Sequence, residues 1–126
     1  MSVLIDSSVW VEYFGDAGLA DTVDLLIEEN LVTTNELVLA ELIPFLEIAR
    51  KKALISLLRE IKRQPMEIDW EGVVSLQTVC LRNGINGVGI PDLLIVQNAL
   101  QGNLKLLSRD KHFSLISRHI PIELYS

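Results

Sequence analysis

Val3-Leu4-Ile5-Asp6-Ser7-Ser8-Val9-Trp10 is the stretch from which the rest of the chain is read. Val3 to Ile5 is a short apolar run without alternation, the pattern of a strand buried on both faces. Asp6 ends it at once. Ser7 or Ser8 then has the chemistry to cap a helix reaching about Phe14, with Gly15 as its stop.

The same order repeats outward from this unit. Leu19, Val23, Leu26 and Ile27 share a helical face and predict a helix over 18–29. Leu31-Val32-Thr33 reads as the next strand. Thr34 or Asn35 caps a third helix whose Leu37, Val38, Leu42 and Phe45 lie on one face. Pro44 is expected to kink or interrupt it, because proline lacks the amide donor and crowds the preceding turn. Ala53, Leu54, Leu57, Leu58 and Ile61 mark a fourth helix, stopped by Pro65. Met66-Glu67-Ile68 is a weak strand candidate. Asp69 caps a helix from Trp70 to Arg82, closed by Asn83-Gly84. Pro91 opens a helix reaching Gln101, Leu104 to Leu107 forms a strand, Asp110 starts a short helix, and Ile120 to Leu124 is an edge strand. Strands alternating with helices over short connections predict a three-layer α/β/α sandwich around a mainly parallel sheet. No linker or repeat divides residues 1–126, so a single domain is expected.

Nearly half the residues are hydrophobic and the mean hydropathy is +0.34, which implies a filled core and some apolar surface covered by a partner. No apolar run reaches the roughly 18 residues that span a bilayer. The N-terminus lacks the basic region of a signal peptide, and the single Cys80 forms no internal disulfide. A cytoplasmic protein is expected. The net charge is −6. Residues 1–49 carry ten acids and no Lys or Arg, whereas residues 50–63 hold six of the eleven bases against one acid, Glu60. An acidic chain repels phosphate. If RNA is the substrate, bound cations and this basic segment must offset the repulsion; the plainer reading of the segment is a solvated helix face.

Four acids draw attention. Asp6, directly after a buried strand, is desolvated unless a charge meets it; equally, it would cap the helix that follows. Glu41 shares the apolar face of Leu37 and Val38, where an acid is paired or functional. Asp92 lies in the first turn of an apolar helix, where carboxylates are favoured anyway. Asp110, in Ser108-Arg109-Asp110-Lys111, would serve as an N-cap. Read singly, two of the four need no function. Read together, all four can converge on the rim beyond the strand ends, where sites of parallel sheets lie. Such an oxygen-rich cluster is what Mg²⁺ or Mn²⁺ needs. His112, His119 and Cys80 are weaker candidates, Ser7 and Ser8 have no nearby His, and Trp10 and Trp70 are expected to pack.

The residues also carry a resemblance. The opening Val3–Trp10, Val38-Leu39-Ala40-Glu41-Leu42, Ile90-Pro91-Asp92-Leu93-Leu94-Ile95 and Leu107-Ser108-Arg109-Asp110-Lys111-His112-Phe113 recur in order and spacing in PIN-domain proteins. The chain resembles in particular the VapC-type toxins of toxin–antitoxin pairs. That resemblance implies a Mg²⁺- or Mn²⁺-dependent endoribonuclease acting on structured RNA such as transfer or ribosomal RNA. It implies Asp6, Glu41 and Asp92 as principal metal ligands, Asp110 completing the pocket, and Ser108 assisting as a hydroxyl. It further implies a homodimer and a cognate antitoxin whose peptide sets a basic side chain against the acids.

Three other functions compete. A phosphotransferase with Asp6 as nucleophile usually wants a second acid two residues on, where Ser8 stands. A receiver-like domain wants an acidic pair after the first strand, where only Asp6 is found. A non-catalytic PIN-like binding module would have no use for the intact acids.

Overall fold

Three consecutive apolar residues with no polar alternation require cover on both sides of the sheet. In the computed structural model, which describes residues 1–15 and 20–125, Val3, Leu4 and Ile5 form strand β1 (Val3–Ile5) and all three are buried. Since successive side chains point to opposite faces, their joint burial means that both faces are covered. The elements that follow are α1 (Ser7–Phe14), α2 (Ala20–Glu28), β2 (Val32–Thr33), α3 (Glu36–Ile48), α4 (Lys52–Glu60), α5 (Trp70–Arg82), α6 (Ile90–Gln101), β3 (Lys105–Leu107), α7 (Lys111–Ile116) and β4 (Glu123–Leu124). The four strands form one parallel sheet in the order β2-β1-β3-β4. This is the expected α/β sandwich. The helix expected over 18–29 is seen from Ala20; its first residues, with Leu19, lie outside the described residues.

The strand order sets where a site can form. The chain leaves β1 through α1 and α2 toward β2 on one side, and leaves β3 through α7 toward β4 on the other. The crevice between the ends of β1 and β3 is therefore a topological switch point. Ile5 pairs with Leu107, and the amide of Asp6 donates to the Leu107 carbonyl at 2.9 Å. Asp6 and Ser108 thus emerge side by side although 102 residues apart.

Two expectations about chain breakers need correction. Pro44 does not interrupt α3, which runs unbroken from Glu36 to Ile48. Both Pro44 and Ala40, whose carbonyl loses its amide partner, lie on the exposed side, where solvent satisfies the orphaned group. Met66-Glu67-Ile68 does not form a strand. Beyond β2 the sheet gains only a single parallel bridge, Thr34 with Arg63, and Pro65 has no amide to continue it. Side chains of α6 take over the backbone groups instead. Asn98 donates to the Pro65 carbonyl at 2.9 Å, and Gln101 to that of Glu67 at 2.7 Å. Gln97 both accepts from the Asp69 amide at 3.0 Å and donates to its carbonyl at 2.9 Å. Asn35 completes the clamp. It caps α3 by accepting from the Val38 amide at 2.8 Å on Oδ1, and its Nδ2 donates to the Asn98 side-chain Oδ1 at 2.9 Å. This polar network fixes α3 against α6, the two helices that carry Glu41 and Asp92.

The core gathers Trp10, Leu26, Leu58, Leu93, Ile95 and Phe113, all fully buried, around the strands. Trp10 stacks on Phe14 with centroids 5.6 Å apart and meets Tyr13 edge-on at 5.8 Å. Cys80 is buried, as expected. Trp70 is not, with 60% of its surface exposed. Among the described residues no helix is long and apolar enough to cross a membrane.

Candidate metal centre

Asp6 stands at the N-cap position of α1, yet its side chain accepts no bond from that helix's amides. It is turned instead toward two hydroxyls. Ser8 donates to Asp6 Oδ2 at 2.9 Å and Ser108 donates to the same oxygen at 2.8 Å. The carboxylate is only 7% exposed, and among the described residues no Lys or Arg pairs with it. The capping reading of Asp6 is therefore set aside. Both hydroxyls also hold the neighbouring loop: Ser8 Oγ accepts from the Arg109 amide at 3.1 Å, and Ser108 Oγ from the Asp110 amide at 3.0 Å. Sequence reading gave Ser8 no role beyond capping. The signal was its place two residues after Asp6, which lets its hydroxyl turn back to that carboxylate.

Asp110 follows one turn on. It does act as the N-cap of α7, accepting from the His112 amide at 2.9 Å. The same oxygen lies 3.3 Å from His112 Nδ1. Asp92 projects from the first turn of α6, which begins at Ile90 with Pro91 in its first turn. Asp92, Asp110 and His112 each offer one ligand atom, and these atoms lie within 4.8 Å of one another. His112, a weak candidate in the sequence, thus joins the cluster; Gly87, with φ +80°, lies on its imidazole side, where an added Cβ would make ordinary van der Waals contact with the ring.

Glu41 requires a correction. It does not lie among the core residues of α3: Val38, Leu39 and Leu42 are buried, whereas Glu41 is exposed. The helix turns it to the rim of the crevice, between the core face and solvent. Its carboxyl nevertheless belongs to the cluster electrically. Partial burial raises its pKa first, the charges of Asp6 and Asp92 raise it further, and a hydrogen bond from Ser7 opposes them. Because the residue as a whole is exposed, the repulsion from the two aspartates is the more informative cause. Asp92 is raised likewise, by burial, then by Asp110 and Asp6, against smaller opposing contributions from His112 and the Gly89 amide. Glu41 and Asp92 are thus each raised by two neighbouring acids of the crevice.

Among the described residues no Lys or Arg pairs with these four acids. Arg109, beside Asp110 in sequence, is turned to Glu12 at 2.9 Å, and Arg63 pairs with Glu36 at 2.8 Å. A set of carboxylates with one imidazole, short of positive charge, fits a hard divalent cation in its ligand chemistry. Among the described residues, His112 Nδ1 is buried without a hydrogen-bond partner.

A family model for the PIN domain matches residues 3–118. The chain belongs to the PIN domain family. Solved PIN structures share its architecture. VapBC2 from Rickettsia felis, bound to a DNA fragment from its promoter, superposes with a TM-score of 0.78 at 19% identity, covering 99% of this chain and 98% of that one. VapBC-1 from nontypeable Haemophilus influenzae gives 0.73 at 18% identity, covering 100% and 98%. VapC20 of Mycobacterium tuberculosis, a sarcin–ricin loop cleaving toxin, gives 0.64 at 14% identity, covering 90% and 94%. At these identities the likeness is one of fold. No curated protein matches the chain in sequence. The family match favours the PIN reading over a receiver or phosphotransferase.

Proposed function

We propose that this PIN protein is a Mg²⁺- or Mn²⁺-dependent endoribonuclease and the toxin of a toxin–antitoxin pair. The observation that carries the reading is the gathering of Asp6, Glu41, Asp92 and Asp110 at one crevice, where among the described residues no Lys or Arg pairs with any of them. Uncompensated charge of this kind is costly unless a cation joins it. Asp6, Glu41, Asp92 and Asp110 would hold that cation, and His112 is within reach of the same position. When bound, such an ion activates water and stabilises charge on phosphate oxygens. The chain's own residues supply the frame. Ser8 and Ser108 fix the direction of Asp6, the α7 cap fixes Asp110, and the Asn35–Asn98 clamp holds Glu41 and Asp92 in register.

Several further points support this reading. Likeness in fold to VapBC complexes and to a sarcin–ricin loop cleaving toxin supports RNA as substrate and an antitoxin as partner. The apolar groove between α1 and α3, lined by Val11, Phe14, Gly15, Leu42, Phe45 and Leu46, offers such a partner cover, so that Phe45 would be shared between the partner and any RNA reaching along α3. A homodimer is supported by Trp70, Val74 and Leu81, which expose one apolar stripe on α5.

The test is incubation of the purified protein with total RNA and Mg²⁺ or Mn²⁺, beside the Asp6→Asn/Asp92→Asn variant. Cleavage by wild type alone supports the proposal, and equal cleavage by both removes these residues from the site. Absence of cleavage together with absence of metal binding by calorimetry would favour a binding module.

A further inference from the structure

The acids that hold the cation also repel the rest of an RNA strand, because residues 1–49 contain no base. RNA must therefore be gripped elsewhere, and α3 indicates where. Glu41, Phe45 and Ile48 follow one another at helical spacings of four and three residues, so they form one line along α3. The line begins at the acid cluster. Beyond Glu41 it stays exposed, with Phe45 at 74% and Ile48 at 86%. It ends at Arg50, Lys51 and Lys52, the turn joining α3 to α4. All three bases are exposed, and among the described residues none has a carboxylate within ion-pair distance.

Helix electrostatics explain only part of this turn. Arg50 and Lys51 follow the carboxyl end of α3, where positive charge is favoured. Lys52 instead opens α4, where positive charge is disfavoured; the first turn of that helix holds no acid, and Lys51 makes no side-chain cap. Nor does helix stability account for a Phe and an Ile left in solvent between the acids and the bases.

We propose that the α3–α4 turn is an RNA-gripping element: Arg50, Lys51 and Lys52 bind backbone phosphates of a strand whose scissile bond lies at the acids, and Phe45 offers its ring to a base on the way. This rests on the ribonuclease reading above. Seven residues separate Glu41 from Ile48 at the end of α3, which at helical rise is about 10 Å, and the three bases follow after Ala49. That is on the order of three nucleotides at the roughly 3.4 Å axial rise of one duplex strand. Stacking of a base on an exposed aromatic needs no particular sequence.

The test measures binding of fluorescently labelled poly(U) to the full chain across a salt series. Wild type is compared with Arg50→Gln/Lys51→Gln/Lys52→Gln and with Phe45→Ala; circular dichroism and Mn²⁺ calorimetry check fold and acid cluster. The triple variant should bind Mn²⁺ as wild type does, lose about tenfold or more in poly(U) affinity at low salt, and lower the slope of log affinity against log salt by about 2, three phosphates at roughly 0.7 each. Phe45→Ala should weaken binding with the slope unchanged. If the triple variant fails to fold, the single Lys52→Gln change should still lower the slope by about 0.7. Unchanged affinity and slope in folded variants overturns the gripping role while leaving the nuclease reading intact. Wild type that binds neither Mn²⁺ nor RNA overturns both. A change of oligomeric state on Phe45→Ala without loss of RNA affinity assigns this face to a protein and overturns the proposal.

Discussion

Asp92→Asn should have opposite effects on stability with and without metal. Asp92 and Asp110 offer oxygens within 4.8 Å of each other. Two like charges at that distance repel by between about 1 and about 3.5 kcal/mol as the effective dielectric falls from that of water to that of a protein surface. Both residues are half-exposed, so the low end applies. Asp6 adds repulsion, while the N-terminus of α6 returns up to about 1 kcal/mol by favouring an acid. The net is about 1 kcal/mol against the charged form. Asparagine keeps the shape and removes the charge. In EDTA at neutral pH the variant should therefore be more stable by about 1 kcal/mol, a Tm higher by about 3–5 °C. The sign follows from the direction of the shift. The folded carboxyl holds its proton more tightly than the unfolded one, so the penalty is absent below the ordinary value of 3.8 and develops as pH rises through the raised one. The advantage of the variant should vanish in acid. With Mn²⁺ at a hundred times its Kd, wild type gains about 2.7 kcal/mol, and a variant short of one ligand gains much less, so the order reverses. Differential scanning calorimetry in EDTA and in Mn²⁺ reads both arms. A variant less stable than wild type in EDTA would show that Asp92 is a structural acid of α6, and the repulsion argument would fail.

Ser108→Ala removes one of two hydroxyls from a buried carboxylate and the acceptor of the Asp110 amide; it should cost about 1.5–3 kcal/mol in chemical denaturation and weaken Mn²⁺ binding by about 10–100-fold, and unchanged values for both would make the hydroxyl idle. Mn²⁺ affinity by calorimetry should decline on acidification beginning above the ordinary carboxylate range, since Glu41 and Asp92 both hold protons more tightly than usual; an affinity that stays flat until that range is reached counts against them as ligands. Gly72→Ala should destabilise α5 against α6 by about 1–2 kcal/mol despite the better helix propensity of Ala, because the new methyl would lie 2.7 Å from Gln97 Nε2 and displace the amide that holds Asp69; a rise in Tm would refute that packing.

What could be read in advance follows the range of the interactions. The strand at Val3–Ile5, the Gly15 stop and the Asn35 cap depend on neighbours a few residues away, and all three form. Met66–Ile68 reads as a weak strand and is not one; Asn98 and Gln101 of α6 donate to the Pro65 and Glu67 carbonyls there, which no local pattern announces. Glu41 shows the limit of helical-face reasoning. Spacing put it with Leu37 and Val38, while only the position of α1 and α6 decides that this edge of the face opens on the crevice. Asp6 was ambiguous between cap and site because the two hydroxyls that claim it include one from the far end of the chain. His112 was passed over because its closeness to Asp92 is a tertiary fact.

The pairing of β1 with β3 also bears on when, during synthesis, the site becomes complete. Asp6 leaves the ribosome 102 residues before Ser108, and the hydroxyl that orients Asp6 lies across that span. A site divided in this way has no functional half. On the proposed reading, an incomplete or prematurely ended chain carries no cutting activity, and the interval between completion of β3 and activity is set by one parallel strand pairing. A cognate inhibitor made before this chain is finished would therefore meet the enzyme as it first becomes active.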